Sequence, residues 1–100
     1  MARSAPVNIG NLIYTKPNFR GGRPCLVGTG TTVHTIAAAH LEGLSAERIF
    51  EEFPYLDLSR IHAALAYYYA NKAQIDADFE ASRRLGDELA AGRTREADTP

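Results

Sequence analysis

The sequence has little of several features that define whole classes of protein. Its 100 residues include one cysteine, Cys25, and no tryptophan. A single cysteine excludes an internal disulfide framework and fits a reducing cytoplasm. No apolar run approaches the roughly 20 residues of a membrane-spanning helix, and the N-terminus lacks the apolar stretch of a signal peptide. We therefore expect a single cytoplasmic domain with no membrane partner.

The chain also lacks an excess of charge. Its net charge of −1 gives no strong overall attraction to nucleic acid. The distribution is uneven, because residues 1–34 hold four bases and no acid, while residues 35–100 hold the other seven bases and all twelve acids. Such asymmetry can mark a nucleic-acid contact in the basic part. Scattered bases are also typical of a solvated surface, and charge alone favours that second interpretation.

Turn residues and apolar periodicity divide the chain into four parts. We expect a flexible arm over 1–8, a β element plus a trihelical domain over 9–71, a C-terminal helix over 72–91 and a polar tail over 92–100. Short strands are predicted at Leu12–Tyr14 and Cys25–Val27. The fold class is mainly α: a short N-terminal β-hairpin or strand pair, a three-helix helix-turn-helix unit of winged-helix type, and a C-terminal helix.

Local capping chemistry sets the expected helix boundaries. The first helix is predicted over Val33–Glu42, with Thr32 as N-cap and Gly43 in the left-handed position that ends it. Ser45 then caps a second helix, which Pro54 ends. Asp57 or Ser59 is expected to cap a third helix. The expected buried side chains of the last two helices are Ile49, Phe50, Phe53, Leu58, Ile61, Leu65 and Tyr68.

The helix-turn-helix pattern suggests double-stranded DNA as a partner. In such units the second helix of the motif lies in the major groove, and its exposed face here would carry Ser59, Arg60, His62, Ala63 and Tyr67. Arg60 could pair with a guanine edge and Ala63 could meet a thymine methyl. Lys72, Arg23 and Arg20 are candidate phosphate contacts. The alternative is a packing unit that never meets DNA, because Glu47, Glu51, Glu52 and Asp57 would repel phosphates.

Other chemistry is not indicated. Thr29–Thr32 precedes a helix and could cradle an anion, but it lacks the P-loop ending and the GxGxxG spacing, so a tight strand-to-helix connection is favoured. His34 and His40 are six residues apart and no CxxC or HExxH motif accompanies them, so no metal site is expected. No nucleophile, base and orienting group occur together. We expect no enzyme, no catalytic residue and no cofactor. Cys25 in an apolar run is expected to be an inert buried thiol.

Five short motifs together resemble the domain-of-unknown-function family 433 (DUF433). They are Gly21-Gly22-Arg23-Pro24, Gly28-Thr29, Gly43-Leu44-Ser45, Pro54-Tyr55-Leu56 and Ala63-Ala64-Leu65-Ala66-Tyr67-Tyr68. The resemblance covers roughly residues 9–79. It departs after Gly28-Thr29, where the family usually places an arginine and this chain has Gly30.

The resemblance implies a function as well as a fold. It implies the antitoxin of a type II toxin–antitoxin system, which binds a PIN-like nuclease toxin and represses its own operon as a homodimer on DNA. The β element around Leu12, Ile13 and Tyr14 would pair two copies. A stripe on the C-terminal helix would bind the toxin, formed by Ile75, Phe79, Leu85 and Leu89. The alternative is a homo-oligomeric protein-interaction module that binds no DNA.

Overall fold

The computed structural model describes residues 6–98, in which two 3-10 helices and two short strands precede four α-helices. A 3-10 helix, Ile9–Leu12, leads into strand β1, and a second 3-10 turn, Arg20–Gly22, precedes strand β2. The remaining elements are β1 Ile13–Tyr14, β2 Cys25–Leu26, α1 Val33–Leu41, α2 Ala46–Glu52, α3 Leu58–Ala70 and α4 Lys72–Asp98. This architecture confirms the predicted mainly helical fold with a strand pair near the N-terminus.

The strand pair is antiparallel and shorter than predicted. Ile13 lies opposite Leu26, and Tyr14 lies opposite Cys25. Leu12 belongs to the preceding 3-10 helix rather than to β1, although its carbonyl still accepts a hydrogen bond of 2.8 Å from the Val27 amide. The reversal between the strands uses Gly21 and Gly22, whose φ angles of 65° and 77° suit residues without a Cβ.

A predicted cap is found at the start of each of the first three helices, and at the third it is Asp57 rather than the alternative Ser59. The side chains of Thr32, Ser45 and Asp57 accept hydrogen bonds from the backbone amides of the third residue beyond them. These bonds satisfy amides that have no partner inside a helix. Gly43 follows α1 with a φ of 99°, as expected for the residue that ends a helix. The first helix ends at Leu41, one residue before the predicted end.

The hydrophobic core of the first compact unit, which ends at Ala70, draws on the first 3-10 helix, β2, helices α1 to α3 and the link before α3. Its largest fully buried side chains are Leu26, Val33, Ile36, Ile49, Leu56, Ile61 and Tyr68. Four expected core positions are wrong in detail. Phe50 and Leu58 are exposed, and Phe53 and Leu65 are only half-buried. On α3, Ala63 and Ala64 are buried instead, because small side chains let neighbouring backbones approach closely.

A second compact unit begins at Asn71 and consists of α4, 27 residues long. The predicted boundaries of 72–91 for the helix and 92–100 for a polar tail are corrected, because the helix continues to Asp98. Alanine, arginine and glutamate around Gly92 favour helix, and this offsets the cost of about 1 kcal/mol for one glycine.

Residues 1–5 of the predicted arm lie outside the described residues. Within residues 6–98, no helix combines the length and the apolar character needed to cross a membrane.

Candidate functional site

The start of α3, the predicted DNA-reading end, is organised around a carboxylate. Asp57 accepts a hydrogen bond of 2.9 Å from the backbone amide of Arg60 and another of 2.9 Å from the hydroxyl of Ser59. The pKa of the Asp57 carboxyl is held below its ordinary value, chiefly by the hydrogen bond from the Arg60 backbone amide and next by the hydrogen bond from the Ser59 hydroxyl. A negative charge is therefore retained where Ser59 was expected to meet DNA.

The guanidinium of Arg60 is bound within the chain. Its Nε donates to the carbonyl of Val27 at 2.9 Å, and its Nη1 donates to Oδ2 of Asp57 at 2.9 Å. The side chain is 27% exposed. Because the bond to Val27 ties α3 to the segment after β2, and the bond to Asp57 steadies the same guanidinium, Arg60 acts as a clamp inside the fold. The sequence could not show this pairing, since Val27 and Arg60 are 33 residues apart.

The remaining predicted DNA contacts on α3 are placed unevenly. Ala63 is 3% exposed, so the expectation that it meets a base edge is wrong. Its face of the helix belongs to the core, together with Ala64. His62 is exposed and Tyr67 is half-buried. In the second unit, Lys72 pairs with Asp76 at 2.7 Å. None of these contacts tests DNA binding by the other predicted residues. DNA binding therefore stays a prediction for Ser59, Arg60, His62, Tyr67 and Lys72.

The predicted phosphate contacts near the N-terminus differ in setting. Arg23 is half-buried, whereas Arg20 is exposed. The guanidinium of Arg20 lies 5.2 Å from the centre of the Phe19 ring, a distance suited to a cation–π contact. Its Nε donates to the carbonyl of Gly30 at 3.1 Å. A guanidinium therefore lies against Gly30, the position at which the resembled family usually carries an arginine.

A groove of about 640 Å³ lies beside this contact. Three stretches wall it: the turn at residue 20, the loop that delivers the chain to α1, and the link between α2 and α3. Its lining is rich in hydroxyls, and among the described residues no carboxylate lines it. The lining residues are Arg20, Gly28, Thr29, Gly30, Thr31, Thr32, Thr35, Phe53 and Tyr55. The sequence identified the loop Thr29–Thr32 but not its neighbours in this groove.

Hydrogen bonds hold the loop of this groove from both sides. The hydroxyl of Tyr14 donates to the carbonyl of Thr29 at 2.8 Å, and Thr31 and Tyr55 share a hydrogen bond of 2.7 Å between their hydroxyls. Desolvation, followed by the influence of Cys25, raises the pKa of the Tyr14 phenol. Cys25 itself is buried, which confirms its predicted burial. The loop is thus a fixed wall that connects β2 to α1.

The predicted partner-binding residues separate into buried and exposed groups. Leu12 is buried, and Ile13 and Tyr14 are half-buried in the strand pair. On α4, Ile75 is 1% exposed, so it is not offered to a partner, and Phe79 is half-buried. Leu85 and Leu89 are 57% and 55% exposed. The accessible part of the predicted stripe is therefore its C-terminal half.

The run Tyr67–Tyr69 behaves as the helical geometry requires, with successive side chains about 100° apart. Tyr68 is fully buried and Tyr69 is exposed, where its hydroxyl shares a hydrogen bond with Nε2 of His40.

Within the described residues, no group of three or more His, Cys, Asp or Glu side chains could hold a metal ion.

This chain matches one family model and is similar to two known proteins. The family model described as protein of unknown function (DUF433) matches residues 13–68. The uncharacterized protein y4eO of Sinorhizobium fredii (strain NBRC 101917 / NGR234) is 37% identical over 60 residues, which is 60% of this chain and 27% of that protein. The chain thus spans about a quarter of this relative. A crystal structure of a DUF433 member from Anabaena variabilis ATCC 29413 shares 29% identity and a TM-score of 0.63, covering 68% of this chain and 67% of that one.

Proposed function

Because this chain belongs to the DUF433 family, a family of unknown function, its surface has to indicate its role, and we propose that it is a partner-binding protein of the antitoxin type. The resemblance seen in the sequence is confirmed as family membership by the match over residues 13–68. The proposed partner is the PIN-like nuclease toxin that the resemblance implies. The proposed binding element is α4.

The observation that carries this proposal is the exposed leucine pair on α4. Leu85 and Leu89 are four residues apart, so both lie on one face of the helix, and each is more than half exposed. Helices with such anchors bind partners by placing their apolar face in a groove. The family match ends at residue 68, before α4 begins at Lys72. A helix outside the matched segment is suited to recognise a partner particular to this protein.

DNA binding through α3 is the second part of an antitoxin's role, and the structure gives it less support. Arg60 donates to Val27 and Asp57, and Ala63 is buried. A retained carboxylate at Asp57 also opposes phosphate binding. These contacts favour the alternative, a protein-interaction module without DNA binding, in which a homodimer would use the same leucine pair.

Co-expression with the product of the neighbouring gene tests the partner. We expect the two proteins to purify together, and Leu85→Glu/Leu89→Glu to abolish this by placing two charges in an apolar contact. The matched control is Ala73→Glu/Ala77→Glu, because both alanines are exposed, are also four residues apart, and lie at least two turns before Leu85 on the same helix. Solitary purification of the unmodified protein, or equal loss in both double variants, would contradict the proposal.

Two further measurements separate the alternatives. Sedimentation of the isolated protein shows whether the leucine pair joins two copies, since Leu85→Glu/Leu89→Glu would then convert dimer to monomer. Gel shifts on the protein's own upstream DNA at low salt test the DNA-binding part. A shift that weakens steeply as salt rises would support it, and no shift at low salt would leave the module without DNA binding.

A further inference from the structure

The groove beside Arg20 has the size and walls of a small-molecule site. Its volume of about 640 Å³ lies within the roughly 300–1,000 Å³ typical of ligand pockets. The walls come from three separate stretches of the first compact unit. One guanidinium and several hydroxyls line it, and no carboxylate does so among the described residues. A ligand that enters this groove therefore meets a positive, hydrogen-bonding wall.

The conformation of Arg20 places the positive charge. Its φ of 52° is in the left-handed region, which non-glycine residues seldom adopt. The Nε bond to the Gly30 carbonyl holds the guanidinium over the loop. A Cβ at position 30 would lie 3.2 Å from Nη2 of Arg20 and 3.3 Å from Cζ of Phe19. Glycine at this position therefore lets the guanidinium approach the loop and line the groove.

An aromatic wall complements the cation. Tyr55 is 62% exposed, and its hydroxyl bonds that of Thr31, the residue next to Gly30. The rings of Phe53 and Tyr55 meet edge to face, with centres 6.2 Å apart at 84°. The bond to Thr31 holds the phenol ring in place while much of it stays accessible. A flat ligand ring can stack on such a fixed aromatic surface.

We propose that this groove binds a small organic anion that carries a flat ring, with the anionic group on the Arg20 guanidinium and the ring against Tyr55 and Phe53. A single guanidinium matches one phosphate or carboxylate group, whereas a protein that binds a nucleic-acid strand contacts several phosphates. The start of α1 is not the anchor, because the Thr32 side chain already accepts from the Thr35 amide. The groove is independent of the leucine pair on α4.

NMR titration of the full chain tests the site with four probes at constant ionic strength. Adenosine 5′-monophosphate and benzoate each combine a ring with an anion, while adenosine supplies only a ring and inorganic phosphate only an anion. We expect saturable shifts at the amides of Gly28, Gly30 and Thr31 with at least one of the combined probes. That probe should bind about tenfold more tightly than adenosine or phosphate, and the better of the two identifies a phosphate or a carboxylate as the anionic group.

Variants assign the response to the proposed contacts. Arg20→Gln should weaken binding of the better probe about tenfold, because it removes a charge-assisted hydrogen bond, and Tyr55→Ala should weaken it about tenfold by removing the ring surface. Lys16→Gln is the charge-matched control, since Lys16 is exposed and is not part of the groove lining. It should change the dissociation constant less than twofold.

A second variant keeps the test valid if Arg20→Gln disturbs the turn. Gly30→Ala adds one methyl group, which meets only the ends of two flexible side chains, so the protein should fold while the guanidinium is displaced. Weaker binding in a variant with an unchanged circular dichroism melt supports the site. The proposal is overturned if no probe gives saturable shifts at these amides up to 10 mM, or if Lys16→Gln and Arg20→Gln weaken binding equally.

Discussion

Replacing Arg60 by methionine should destabilise the fold far more than a substitution at an exposed arginine usually does. Methionine keeps most of the aliphatic stem and removes the guanidinium, with its bonds of 2.9 Å to the Val27 carbonyl and to Asp57. A hydrogen bond from a charged donor contributes about 1.5–3 kcal/mol, while an ion pair as exposed as that with Asp57 adds about 0–1 kcal/mol.

The expected loss for Arg60→Met is therefore about 2 kcal/mol in the free energy of unfolding, most of it from the bond to Val27. For a domain of this size that loss corresponds to a fall of roughly 10 °C in the melting temperature. Urea unfolding followed by circular dichroism measures the change. Arg83→Met is the control, because Arg83 bonds Glu80 on one exposed helix face, and it should leave stability nearly unchanged.

Arg60→Lys separates a structural role from a role in DNA binding. Lysine keeps the positive charge but lacks the planar fork that reaches two acceptors. If Arg60 is a clamp, Arg60→Lys should lose nearly as much stability as Arg60→Met. The interpretation is refuted if Arg60→Met unfolds within about 0.5 kcal/mol of the unmodified protein, the range of ordinary surface substitutions.

Three further predictions concern single positions. Asp57→Asn should make stability fall less steeply as the pH is lowered. The Asp57 carboxyl has a folded-state pKa below its ordinary 3.8, so it stabilises the fold above pH 3.8 and loses this effect as the pH falls through the lower folded-state pKa. Acid unfolding that is the same in Asp57→Asn and in the unmodified protein would contradict this prediction. Gly28→Ala should cost about 1 kcal/mol by urea unfolding, because the φ of 84° strains any residue with a Cβ. Cys25, 1% exposed, should react with a thiol reagent only as fast as the protein opens, and rapid labelling of the native protein would contradict its burial.

Local chemistry made the helix boundaries predictable. Thr32, Ser45 and Gly43 act through amides and carbonyls within a few residues of themselves, so their roles can be seen in a single stretch of sequence. The long extension of α4 was underestimated, because a glycine and a polar composition were interpreted as an end. The residue types around Gly92 have enough helix propensity to continue the helix.

The candidate site was only partly predictable, because its contacts join distant residues. The assignment of Arg60 to an exposed face followed from the period of α3, but the carbonyl of Val27, which binds it, lies near β2. The buried side of α3 was misjudged for a related reason. Alanines are compatible with either side of a helix, and only the packing of the other elements buries Ala63. The groove likewise depends on Arg20, Gly30 and Tyr55 meeting in space.

The contact between Arg20 and Gly30 leads to an expectation about how the two positions vary among relatives. A side chain at position 30 and the guanidinium of Arg20 compete for one volume above the loop, so a cation can be supplied there from one position or from the other. Relatives with arginine at position 30 are therefore expected to carry a smaller residue, or glycine, at position 20. The left-handed conformation of Arg20 makes glycine at that position the easier replacement. The two positions should change together, so that a charge is kept at this loop while the residue that bears it moves.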